Sequence, residues 1–353
     1  MFDELLNIQS SWEYFKNTDL PIICYGTGDG ADKVFSEFER LGITASGVMA
    51  SGRFVRERYF HGFKVKSSED YENEFGEFCI ALCFGSQLKE VIDSIKAISE
   101  KHKILVPSVP VYGENIFNKN FFSDHIDDIK KAYDLLSDEK SKNVYYNIIK
   151  FELCGDLNLL FDCESGKDEA LSEILNLIVC RSYLDLGAYK GDTVEEFLKY
   201  NGGNYDRIIA VEPDKKNFAK LQLNTAGIKN ITLLNVGIWS EKSAVSFNSA
   251  GGRNSSIKDG TENIINSESV DSILSKNGID YIKADVEGVE CEMLEGAKGT
   301  LKKFKPQLNL AAYHRSEDLF KLILKVNELN PEYKIYLRHH PHTLLWDTNL
   351  YCK

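Results

Sequence analysis

Short apolar runs alternate with amphipathic ones in two parts of this chain. Residues 20–25 are apolar, run into Gly26-Thr27-Gly28-Asp29-Gly30-Ala31 and continue as an amphipathic stretch at 32–41, which predicts a strand, a glycine-rich turn and a helix. Residues 44–49, 78–84 and 103–106 predict further strands, and 87–99 a helix, so residues 1–114 read as a small parallel α/β domain. From 115 to 177 the period changes: Ile126, Ile129, Tyr133 and Leu136 recur at helical spacing behind Ser123 as a cap. No strand pattern interrupts 123–151, so residues 115–180 read as a helical connector.

Residues 181–353 predict a second α/β domain. Its strands are expected at 182–186, 207–212, 231–237, 280–285, 307–314, 333–339 and 343–351, with helical stretches between most of them. Only His340-Pro341-His342 separates the last two. Three residues are too few for a parallel crossover, so an antiparallel hairpin is expected to close the seven-stranded sheet.

The first strand of this domain leads into Asp185-Leu-Gly187-Ala188-Tyr-Lys-Gly191-Asp-Thr193, an acid at a strand end followed by glycines and a helix start. Glycine allows close backbone approach to a ligand, and a carboxylate there can pair with an amino group. The second strand ends in Val211-Glu212-Pro213-Asp214, where a carboxylate is placed to accept both hydroxyls of a ribose. Taken singly, Asp185 could cap a helix and Glu212 could open a turn. Their joint register with two successive strands favours a nucleoside-type ligand.

From Tyr183 onward the chain resembles the FkbM family of S-adenosylmethionine (SAM) dependent methyltransferases. The matching pieces are the Asp185 to Thr193 motif, Val211-Glu-Pro-Asp214, Asn235-Val-Gly-Ile-Trp239, Ser255-Ser256, Ile282-Lys-Ala-Asp-Val-Glu-Gly-Val-Glu290, Leu294-Glu-Gly296 and Tyr313-His314. The resemblance implies the class I SAM methyltransferase fold, Rossmann-like with a terminal hairpin, and methyl transfer to a hydroxyl of a sugar or natural product. It also implies that Asp185, Gly187, Ala188 and Gly191 cradle the methionine part of SAM, that Glu212 holds the ribose, and that Asn235, Val236 and Gly237 border the adenine. The connector, with Tyr145 and Tyr146, is similar to the helical lead-in of longer members, and these tyrosines serve either a lid or interdomain packing.

In open α/β sheets ligands bind beyond the carboxyl ends of the strands. Asp285 and Glu287 follow the fourth strand, His314 ends the fifth, and His339 and His340 end the sixth, so three strand ends are expected to deliver acids and imidazoles to one rim. An alcohol must lose its proton as it is methylated. His314 is the first choice for that base, because the unperturbed imidazole titrates nearest neutrality, and Asp285 is the second. The same rim offers ligand types for a divalent metal, but no segment shows metal-ligand spacing, so a metal is not favoured. Arg253, in the glycine-containing loop 250–256, is a further candidate for an anionic acceptor.

In the N-terminal domain, Gly26-x-Gly28-x-x-Ala31 fits a dinucleotide fingerprint only in part. Val48-Met49-Ala50-Ser51 stands where the ribose acid is expected, so NAD is not expected. The domain resembles the Rossmann-like modules attached to sugar-modifying enzymes, which implies docking of a nucleotide-sugar- or polyprenyl-linked acceptor, or a scaffold.

Composition narrows the partners. With 42 Lys and Arg against 54 Asp and Glu, the formal charge is −12, which opposes a phosphate backbone or an anionic membrane. Base methylation is disfavoured again by Asp285-Val-Glu-Gly after the fourth strand, where nucleic-acid amino methyltransferases carry an Asn-Pro-Pro-Tyr type signature. Eight scattered cysteines without C-x-x-C pairs, no membrane-length apolar run and no secretory leader point to the cytoplasm. Self-association stays open. Two readings remain beside O-methylation: N-methylation of an amino sugar or small amine, and a non-catalytic module that binds a nucleotide-sugar or a partner protein.

Overall fold

The computed structural model describes residues 1–51, 55, 58–248, 256–257, 264–275 and 277–353. The chain forms two compact units: Met1–Lys130 with Lys142–Glu164 and His339–Asp347, and Lys131–Ser141 with Ser165–Arg338 and Thr348–Lys353.

The first unit holds a six-stranded sheet of β1 (Ile22–Tyr25), β2 (Gly47–Met49), β3 (Tyr59–Phe60), β4 (Phe63–Lys66), β5 (Cys79–Leu82) and β6 (Lys103–Leu105), in the order β3-β4-β2-β1-β5-β6. β1, β2 and β5 are buried throughout, as parallel strands covered on both faces must be, and their apolar runs are why they are legible. The glycine-rich turn has a packing explanation. A Cβ on Gly30 would lie 2.4 Å from the Cys83 carbonyl oxygen, and Gly26, at φ +132°, has the Phe84 ring 3.2 Å from its Cβ position. These glycines let the helix Asp29–Leu41 and the turn after β5 close on one another; that helix begins three residues earlier than its polar pattern predicts, at Gly28 as N-cap. The β3–β4 hairpin escapes the sequence reading, since a two-residue strand has no periodicity; its turn residues, His61 and Gly62, are both left-handed, at φ +46° and +83°.

Two long helices, Lys119–Asp134 and Glu139–Cys154, open the predicted helical stretch, and short helical segments at Asn158–Phe161, Glu169–Ile174 and Leu177–Val179 complete it. Asn118, not Ser123, caps the first: its Oδ1 accepts the Phe121 N–H at 3.0 Å, which leaves Ser123 inside the helix. Tyr145 is fully buried, its ring edge-on to Phe2, and so packs the core instead of lining a lid.

The second unit is built on a seven-stranded sheet: β7 (Ser182–Leu186), β8 (Arg207–Val211), β9 (Ile231–Leu234), β14 (Tyr281–Ala284), β15 (Gln307–Ala311), β16 (Ile335–His339) and β17 (Thr348–Cys352), in the order β16-β17-β15-β14-β7-β8-β9. β7, β8, β9, β14 and β15 run parallel, and β17 is antiparallel to β15. Between β9 and β14 lies a small sheet of β10 (Gly237–Ile238), β11 (Ser243–Asn248), β12 (Ser256–Ile257) and β13 (Ile264–Glu268). Arg253 and the rest of 249–255 lie outside the described residues.

Two expectations about the terminal hairpin are corrected. Its connection runs from His340 to Asp347, and Thr343 is in that loop, exchanging bonds with Ser86: Thr343 N–H to the Ser86 carbonyl at 3.1 Å and Ser86 N–H to Thr343 Oγ1 at 2.9 Å. β17 stands between β15 and β16, so the end of β16, with His339 and His340, is not the neighbour of the end of β15.

Arg338, 2% exposed on β16, anchors the connector side of the second unit. Its Nη2 donates to Asp138 at 2.6 Å, Nη1 to Ser141 Oγ at 2.7 Å and Nε to Glu169 at 2.9 Å. Removing one partner of such a cluster leaves the other charges poorly solvated. Arg338→Ala is therefore expected to lower stability by about 2–3 kcal/mol, the partial exposure of both carboxylates holding the loss down. Urea unfolding followed by circular dichroism checks this; an unchanged midpoint would show the cluster to be ornamental.

Candidate active site

Five neighbouring strands, β15, β14, β7, β8 and β9, carry the predicted residues at or beyond their carboxyl ends. Asp185 on β7 is in register with Lys283 on β14 and Ala210 on β8. The Asp185 carboxyl is completely buried; Oδ2 accepts from Thr193 Oγ1 at 2.5 Å, and Oδ1 has no hydrogen-bond partner among the described residues. Burial pushes this acid up to about 6, against the opposing pull of Lys283 and Thr193.

Past β7 the chain turns sharply. The N–H groups of Gly187 and Ala188 both donate to the Val211 carbonyl, at 3.0 and 2.9 Å, and Gly187 has φ +82°. A Cβ there would lie 1.9 Å from the Asp285 carbonyl oxygen, so only glycine lets the turn after β7 pack against the turn after β14. Gly191, at φ +96°, starts the helix Asp192–Asn201.

At the end of β8, Glu212 is 5% exposed. Its Oε2 accepts from Tyr189 N–H and its Oε1 from Asp214 N–H, each at 2.9 Å. Burial raises this carboxyl to about 7, although both N–H groups favour the charged form. Asn235, after β9, is exposed and donates to the carbonyls of Glu212 and Pro213 at 2.8 and 3.0 Å; Val236 is half-buried, and Gly237 opens β10. All eight residues expected around a nucleoside-type ligand thus follow or end β7, β8 and β9.

The acids lie on the other side of β7. The Asp285 N–H donates to the Leu186 carbonyl at 3.0 Å, its carboxylate is 3.6 Å from Lys283 Nζ, and the Tyr313 hydroxyl donates to both of its oxygens at 3.3 Å. Burial alone would raise Asp285, but Lys283, His314 and Tyr313 outweigh it and hold this carboxyl well below the usual range. Glu287 occupies the left-handed region at φ +56°, followed by Gly288 at +92°, and Arg315 Nε donates to the Gly288 carbonyl at 2.6 Å. Its side chain is 26% exposed, and burial pushes it up to about 8.

His314 joins these acids, as expected, but it is 1% exposed. Nδ1 is 2.8 Å from Glu290 Oε1, and Nε2 lies 3.3 Å from Asp285 and 3.5 Å from Glu287. Lys283 and Glu290 stand inside the Ile282 to Glu290 motif, yet the sequence reading gives neither a role. The signal was the spacing: Glu290 falls one helical turn after Val286, whose N–H it accepts at 3.0 Å.

Residues 185–340 match the family model for the methyltransferase FkbM domain. This segment is an FkbM methyltransferase domain. No curated relative matches the sequence. The FkbM methyltransferase of Methylobacillus flagellatus KT shares the fold over 95% of this chain and 90% of its own, with a TM-score of 0.72 at 18% identity. Weaker likenesses include Aeropyrum pernix fibrillarin, solved with natively bound SAM (TM-score 0.34, 16% identity, 50% of this chain and 68% of that one). Another is the precorrin-6y C5,15-methyltransferase of Geobacter metallireducens GS-15 (TM-score 0.31, 14% identity, 52% of this chain and 85% of that one).

Within the FkbM domain, ligand atoms of Asp285, Glu290 and His314 lie within 4.8 Å of one another. His314 Nδ1 and Glu290 Oε1, 2.8 Å apart, are at hydrogen-bond distance. Among the described residues, no helix is long and apolar enough to cross a membrane.

Proposed function

We propose that this chain is a SAM-dependent O-methyltransferase acting in the cytoplasm on a hydroxyl of a carbohydrate or natural-product acceptor. The observation that carries the reading is the packing of the acid turn after β14 directly on the glycine turn after β7, with Asp285 against Gly187. It sets proton-accepting groups beside a nucleoside-type cradle.

The residues present fit SAM. Asp185 has a buried oxygen to spare for an ammonium group, and each Glu212 oxygen, having accepted one N–H, keeps a lone pair for a ribose hydroxyl. Asn235, Val236 and Gly237 border the adenine. SAM, when bound, supplies a methyl group already activated on a sulfonium. The protein has to align the acceptor oxygen in line with that methyl, keep water out and receive a proton. Glu287 suits the last task better than His314: it is partly exposed and held near neutrality, whereas both ring nitrogens of His314 face carboxylates. The acceptor hydroxyl proton passes to the Glu287 carboxylate as its oxygen takes the methyl, and Asp285, fixed by Lys283 and Tyr313, orients the hydroxyl. Eight free cysteines support the cytoplasmic reading.

Isothermal titration calorimetry with SAM and S-adenosylhomocysteine tests this, beside a Glu212→Ala control. Micromolar binding that weakens at least about tenfold in the control is expected, since the variant loses a charged hydrogen-bond partner. No binding by the folded wild type would sink the reading. With binding in hand, a screen of sugars and nucleotide-sugars for methyl ether products separates O- from N-methylation.

A further inference from the structure

The surroundings of His314 determine its protonation from geometry. A neutral imidazole has one N–H and one lone pair, whereas an ionised carboxylate only accepts. Nδ1 faces Glu290 Oε1 at 2.8 Å, and that oxygen also accepts the Val286 N–H at 3.0 Å. Nε2 faces Asp285 Oδ1 at 3.3 Å and Glu287 Oε2 at 3.5 Å. Nearby among the described residues are Tyr313, whose ring centroid is 4.3 Å away and whose hydroxyl donates to Asp285, and the buried Asp318 at the start of the helix Asp318–Leu329; the Lys283 ammonium on β14 pairs with Asp285. With acceptors on both sides, the ring is satisfied only when both nitrogens carry protons.

We propose that Glu290 is a positioning residue that holds His314 as a permanent imidazolium, and that this fixed cation anchors the Asp285 and Glu287 carboxylates at the acceptor side of the site. Three further observations support it. Glu290 and His314 are each 1% exposed, so neither has water as an alternative partner. Burial opposes charge on the ring, but Glu290, Asp285 and Glu287 overcome it and hold His314 well above the ordinary imidazole range. The left-handed backbone of Glu287 is braced by Arg315 on Gly288, so the turn is held from outside and aimed at the ring.

The consequence for turnover rests on the methyltransferase reading; the ring's protonation state does not, which keeps the two separable. The full chain labelled with ¹⁵N-histidine carries seven histidines, and His314 is assigned by its disappearance in His314→Gln. Both ring nitrogens of His314 are expected in the protonated range from about pH 6 to about pH 8.5, where an unperturbed ring titrates near 6.5. In Glu290→Gln the ring becomes neutral at about pH 7.5, and turnover falls about tenfold or more while SAM affinity stays within about twofold. A role confined to packing would lower stability without moving the ring resonances. A neutral His314 in the wild type, or one titrating near 6.5, overturns the proposal even if the variant fails to fold. An imidazolium in a wild type that binds no SAM keeps the clamp and discards the methyltransferase reading.

Discussion

Gly187→Ala is expected to abolish SAM binding and to cost about 4 kcal/mol of stability, the sum of left-handed strain and overpacking, each of about 1–3 kcal/mol. The backbone at +82° disfavours any side chain, and the new methyl would sit 1.9 Å from the Asp285 carbonyl oxygen. A carbonyl at the end of a central strand is not a flexible neighbour: Asp285 N–H is bonded to Leu186, and Ala284 just before it is paired to Leu186 and Leu310 in the sheet. Relief must come from separating the turn after β7 from the turn after β14, which misplaces Asp185 and Asp285 together. Gly227 is the control, because a Cβ there meets nothing within 4 Å and its φ is ordinary. Calorimetry with SAM and urea unfolding on both variants check this; a Gly187→Ala protein that binds and unfolds like Gly227→Ala would show that the two turns do not meet as described.

The same contact shows what the sequence made legible. β7, β8 and β14 are short apolar runs bounded by glycine and acid, so their existence, and the acids at their carboxyl ends, follow from pattern alone. Parallel order then puts Asp185, Glu212 and Asp285 on one edge. Sequence could not show why Gly187 is glycine. Spacing suggests room for a ligand, whereas the chain needs that room for its own Asp285 carbonyl 98 positions later. We assign His314 a part other than base for a related reason. A histidine at a strand end is a natural candidate base, and only the tertiary approach of Glu290 shows that both nitrogens are occupied. The hairpin was placed correctly but given too short a loop, because Thr343, Leu344 and Leu345 look like strand, whereas Thr343 bonds with Ser86 and the Leu344 N–H with His342 Nδ1. The small sheet β10–β13 and the β3–β4 hairpin have strands too short or too polar to carry a period.

Glu287→Gln is expected to lower turnover by about 10²- to 10⁴-fold while leaving SAM affinity intact, the range that loss of a general base produces. The substitution keeps the shape and the left-handed backbone and removes only the ability to take a proton. A base works when it has lost its proton, and this carboxyl, pushed up to about 8 by burial, is largely protonated at neutrality. Wild-type turnover should therefore rise with pH through about 8, and that rise should vanish in the Gln variant. If Asp285 were the base, the profile would be flat over this range, because Lys283, His314 and Tyr313 keep Asp285 charged far below it. Glu287→Gly separates function from folding. At φ +56° glycine relieves backbone strain and removes a half-buried acid, so stability should rise by about 1 kcal/mol even as turnover is lost. A residue whose replacement strengthens the fold and stops the reaction is held there for the reaction. If Glu287→Gln turns over at the wild-type rate with an unchanged pH profile, the proton goes elsewhere and the strain at this turn has another cause.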